Sequence, residues 1–117
     1  MSSWPADLIP AGASGWEQKA CAWLLDRCPS EFRTYEIFRT HPAALGYVAT
    51  FQLEHQVEAI RDAYRSARTN SQLAPEALNE LLSTLEHEGA RLALELSSAL
   101  VVIEALNASK AENPLGF

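Results

Sequence analysis

The tripeptide LEH occurs twice, at Leu53 to His55 and at Leu85 to His87, and so places a carboxylate beside an imidazole twice in a chain with three histidines. These are the side chains that ligate metals and move protons near neutral pH, so the first chemistry to weigh is a metal or acid–base site. A di-iron carboxylate bundle would need a glutamate three residues before each histidine, where this chain has Gln52 and Thr84. Cys21 and Cys28 stand two helical turns apart, about 10 Å, beyond disulfide reach within one helix, and read as two reduced core thiols. The sequence contains no glycine-rich phosphate loop, no Gly-x-Ser-x-Gly elbow and no metal-spaced cysteine and histidine cluster. No catalytic residue, metal ligand or cofactor site is therefore assigned, and the chain is expected not to be an enzyme.

The fate of the histidines depends on the elements that carry them. The 117 residues suffice for a single domain, and 48% hydrophobic with 21% charged residues is the balance of a folded globular chain. A net charge of −6, with basic residues interleaved among acids, argues against nucleic-acid phosphates and anionic lipid. The stretch MSSWPADLIPAGASG lacks a basic start and a continuous apolar core, and no unbroken apolar run approaches the ~18 residues of a membrane span. A cytoplasmic protein with no membrane partner is expected.

Residues 1–41 read as a lead, a short helix and an aromatic segment. Trp4, Leu8 and Ile9 are candidate anchors of the lead, and Ser14 with Glu17 has capping-box spacing for a helix that ends before Pro29. Phe32, Tyr35 and Phe38 recur every three residues, which suits one or two helical turns packed by their rings. Pro42 suits a first helical position and opens a long helix over 42–69, which Asn70 and Ser71 stop. A second long helix is expected over 75–109, with Leu73 and Leu78 bracketing Pro75 as a hydrophobic staple and Gly89 as the one place for a break.

Leu78, Leu82, Leu85, Gly89, Leu92, Leu96, Ala99, Ile103 and Leu106 alternate by four and three, a heptad seam, and Leu53, Val57, Ile60, Tyr64 and Ala67 supply its counterpart. The connection is short, so the fold expected is all-α, a long antiparallel helical hairpin of coiled-coil type with the short helix and aromatic segment packed at one end. Pairing Ile60 with Leu85 and Val57 with Gly89 sets Arg61 opposite Glu86. In these heptads His55 and His87 both fall at f, farthest from the partner helix, so they cannot share a metal.

Apolar residues outside the seam gather at the end away from the connection: Ala44, Val48 and Phe51 on one helix, Leu94, Leu100, Val101 and Val102 on the other. Eight of the ten aromatic residues lie in the first 51 positions, so the N-terminal third is expected to cover them as a helical head. The other end should project as an arm, with Ala63 and Leu81 on one flank.

The stretches WLLDRCPSEFR, RTHPAAL and EGARLAL resemble those of small uncharacterised helical proteins of actinobacteria, over roughly Trp16 to Leu106. The resemblance implies a bacterial helical protein and carries no activity and no site residue. Two functions fit the residues. The first is a non-enzymatic interaction or assembly protein that self-associates through its helices, as a homo-oligomer and by preference a dimer, with a further protein partner open to it. The second is a small-molecule binder with a pocket between the aromatic segment and the last helix, built from Tyr47, Phe51, Arg91 and Glu95.

Overall fold

The computed structural model describes residues 4–70 and 72–112, so the expectation for Ser71 lies outside the described residues. The described residues form helices and no strand: α1 (Trp16–Leu25), a 3-10 turn (Ser30–Thr34), α2 (Glu36–Thr40), α3 (Pro42–Asn70) and α4 (Pro75–Glu112). The chain measures 59 × 29 × 18 Å. Helices α3 and α4 pack against each other along their length, α1 lies on both, and α2 lies on α3.

The start of α1 departs from expectation. Its N-cap is Gly15, in the left-handed region at φ 74°, with no side-chain cap bond. Glycine adopts that conformation without the β-carbon penalty, so Ser14 is displaced from the cap. Glu17 is instead free to accept a hydrogen bond of 2.6 Å from Ser109 Oγ, across the whole chain. Beyond Leu25 two tight turns, Arg27 N–H to the Leu24 carbonyl and Cys28 N–H to that of Leu25, carry the backbone up to Pro29.

The aromatic segment folds as two short turns whose rings meet: Phe32 and Phe38 stack at 5.0 Å, and Tyr35 sits edge-on to Phe38 at 6.1 Å. The lead is anchored by Trp4, which meets Trp16 edge-to-face at 5.9 Å and donates its indole N–H to the Ile9 carbonyl at 2.8 Å. Leu8 is buried with it, whereas the Ile9 side chain, an expected anchor, is exposed.

The core is concentrated where α1 meets α3 and α4. Ala20, Leu24, Leu45, Ala49, Ala99 and Val102 are fully buried there, with Trp16, Trp23, Leu53 and Leu106 around them. Each fully buried leucine or valine contributes about 1.5–3 kcal/mol, so this end carries most of the stability. The expected cover is only partial, however. Val102 is buried, but Phe51, Leu94 and Leu100 remain exposed, because α1 spans ten residues, about 15 Å, and occupies one side of the α3–α4 layer.

Helix α4 is unbroken through Gly89. A β-carbon at Gly89 would stand 3.5 Å from Ile60 Cγ2, ordinary contact, while Val57, its expected partner, lies more than 4 Å from that position and lines the same groove. The close approach lies instead at Gly46, where a β-carbon would come within 3.1 Å of Ile103. Unbroken apolar runs understate α4: over Pro75–Ser109 it is long and apolar enough, by length and composition, to cross a membrane, and only 22% of its most apolar stretch is buried within the protein. Much of its apolar surface is thus left without cover from the described residues.

Candidate functional site

The histidines do not converge. His55 and His87 are both exposed, and the His55 ring stacks on Phe51 at 6.4 Å. His41 closes α2 and is also exposed. Among the described residues no three histidine, cysteine, aspartate or glutamate side chains gather as a metal site. Both cysteines are free and half-buried. Burial, helped by the Glu17 carboxylate, pushes the Cys21 thiol up from its ordinary pKa, and burial pushes Cys28 up against the opposing charge of Arg33. A raised thiol pKa leaves little thiolate near neutrality, the reverse of an activated nucleophile.

The expected pocket residues divide into two places. Arg91 and Glu95 stand at a polar junction centred on Arg27, near the C-terminal end of α1. The Arg27 guanidinium donates to Glu95 at 2.7 Å and to the Trp23 carbonyl at 2.9 Å, and lies 3.6 Å over the Trp23 ring. Asp7 of the lead completes the junction, accepting from the Trp23 indole at 3.1 Å and facing Arg27 at 3.7 Å. Two open clefts of about 410 and 310 Å³ flank Arg27 and Glu95, and Gln52 and Gln56 face the larger one. Arg91 reaches Glu95 at 3.8 Å and binds Glu88 more closely, at 2.6 Å, a hydrogen bond that holds the Glu88 carboxyl below its usual range.

Tyr47 and Phe51 line neither cleft. Their rings meet edge-on at 5.2 Å on an exposed face of α3, with Tyr47 69% exposed. The signal missed in the sequence is Arg27, whose partner Glu95 lies 68 positions away and leaves no local trace.

A second surface lies farther along α3 and α4. The seam residues Ile60, Tyr64, Leu78, Leu82 and Leu85 are all only half-buried, because two helices cover one stripe of each other and leave the flanks open. Beside them runs a groove of about 380 Å³ with an apolar floor of Val57, Ile60, Leu85, Gly89, Ala90 and Ala93. Its rim carries Arg61, Arg65, Tyr64 and Glu86. The Tyr64 hydroxyl donates to Glu86 at 2.9 Å, and the negative acceptor pushes the phenol pKa up. Arg61, expected opposite Glu86, turns along its own helix to Glu58 at 3.1 Å. Arg65 likewise pairs with Asp62.

The groove is open to solvent, with mostly apolar lining and charged side chains beside it. No family model, no curated protein and no solved structure matches the chain.

Proposed function

We propose that the chain is a non-enzymatic interaction or assembly protein that self-associates through α3 and α4. The observation that carries this reading is the open groove on the arm, whose apolar floor lies beside seam residues that are only half-buried. Exposed Tyr47, Phe51, Leu94 and Leu100 add apolar surface toward the other end. Two helices of this length make a complete bundle when a second pair supplies the missing layer.

The reading treats α3 and α4 as an antiparallel helical hairpin with a coiled-coil-like seam. Its support is the order of contacts: Gly46 on Ile103, then Ile60 on Gly89, then Tyr64 on Glu86. A membrane is a poorer occupant of α4, because Glu95 is bound to Arg27 and Glu104 is exposed, and each carboxylate costs about 2.5–3.5 kcal/mol at a bilayer centre. Two free thiols and an acidic charge favour a cytoplasmic site without nucleic acid. Light scattering at micromolar concentration tests the reading: a dimer near twice 12.9 kDa supports it, and a monomer throughout contradicts it.

A second reading, binding of a small molecule, rests on the clefts beside Arg27 and Glu95. Their charged walls are already bound to one another, so a ligand would have to displace those pairs. Arg27→Ala would then abolish ligand binding while leaving self-association intact.

A further inference from the structure

Self-association through α3 and α4 has a geometry that charge decides, and that geometry rests on the reading of the chain as an assembly protein. Three contacts set the height of α3 residues against α4: Gly46 at Ile103, Ile60 at Gly89, and the Tyr64 hydroxyl on Glu86. Glu86 therefore stands level with the turn between Arg61 and Arg65. Tyr47 precedes Arg65 by eighteen residues, five full turns, and so lies on the same line of α3. Glu86, Ala93 and Leu100 recur every seven residues along α4, again on one line. The groove face thus continues past its deepest part to Tyr47 on α3 and Leu100 on α4, at nearly equal height and both exposed.

Two such faces can meet about a two-fold axis in two ways. An axis across the helices lays α3 on α3 with heights reversed and, centred on the groove, sets arginines against arginines. An axis along the helices lays α3 of one copy over α4 of the other without changing height. Arg61 and Arg65 then bracket the partner's Glu86, and Tyr47 meets the partner's Leu100. We infer that the occupant of the groove is a second copy of this chain in this second arrangement, with both connections at one end and both heads at the other. A guanidinium has five donors, so Arg61 can keep Glu58 and still reach across. The area suffices: a face about 20 Å wide, two helix diameters, reaches the ~800 Å² per partner of a stable interface over about 40 Å. Helix α3 has 29 residues, about 43 Å.

The test uses charge reversal. Glu86→Arg in one chain, and Arg61→Glu with Arg65→Glu in another, should each weaken self-association roughly tenfold or more by sedimentation, with helicity unchanged by circular dichroism. Mixed in equal amounts, the two reversed chains should recover a heterodimer, detected by native mass spectrometry. If the doubly reversed chain pairs with the unaltered protein more tightly than the unaltered protein pairs with itself, α3 lies on α3, the axis runs across the helices and the inference falls. If the unaltered protein dimerises and neither reversal changes its affinity, the inference falls while self-association stands. A monomeric unaltered protein overturns both.

Discussion

The two ends of the molecule use the same long helices and reach different degrees of completion. At the head end three layers meet, and Leu24, Leu45, Ala49, Ala99 and Val102 lose all contact with solvent. Along the arm only two helices meet, and the seam residues Ile60, Tyr64, Leu78, Leu82 and Leu85 stay half-buried although they repeat the same heptad pattern. The apolar pattern is equal at both ends; what differs is whether α1 is present to close the third side. A seam therefore becomes a continuous core where another element completes it, whereas along the arm Val57 and Ala67 are buried among neighbours that stay half-buried.

Mutations should divide along that line. Leu24→Ala or Leu45→Ala in the head should destabilise the monomer by about 2–5 kcal/mol in urea titration, whereas Leu82→Ala or Ile60→Ala in the arm should cost about half as much or less. Equal losses at both ends would erase the distinction. Next in size is Arg27→Ala, which leaves Glu95 and the Trp23 carbonyl without their shared donor and should cost about 1–3 kcal/mol. Arg61→Ala, an exposed arm pair with Glu58, should stay within about 0.5 kcal/mol.

The two helical glycines sharpen the comparison further. Gly89→Ala in the arm has room for its methyl group and should raise stability by about 0.5–1 kcal/mol, the ordinary helix gain. Gly46→Ala would press on Ile103 at 3.1 Å and should forfeit that gain. The smallest effect is kinetic. With their thiol pKa values raised by burial in the head, Cys21 and Cys28 should alkylate slowly at neutral pH and accelerate only above the ordinary thiol range. Alkylation near neutral pH as fast as in the urea-unfolded chain would show an open head.

Much of the helical layout was legible in local chemistry. Pro42 and Pro75 open α3 and α4, and the spacing of Leu53, Val57, Leu92, Ala99 and Leu106 identified residues that are buried. The exposed histidines also followed from that spacing. The features that escaped had non-local causes. The capping box failed because Gly15 can take a conformation Ser14 resists, and Glu17 found Ser109 across the chain. Gly89 stands nearer Ile60 than Val57 because a heptad names the facing stripes but not the sliding of one helix along another, a choice that whole-helix packing makes. The candidate pocket split because Arg27, 68 positions from Glu95, captured that carboxylate, while Tyr47 and Phe51 lay beyond the reach of α1.

The head closes around α1 within one chain, and the arm would be completed by a second copy if the proposed self-association holds. Amide hydrogen exchange over a dilution series measures this directly. Protection around Ile60 to Arg65 and Glu86 to Ala93 should fall as the protein is diluted below its dissociation constant, while protection around Ala20 to Leu24 and Ala99 to Val102 stays constant. Arm protection that is independent of concentration, and equal to that of the head, would contradict the account.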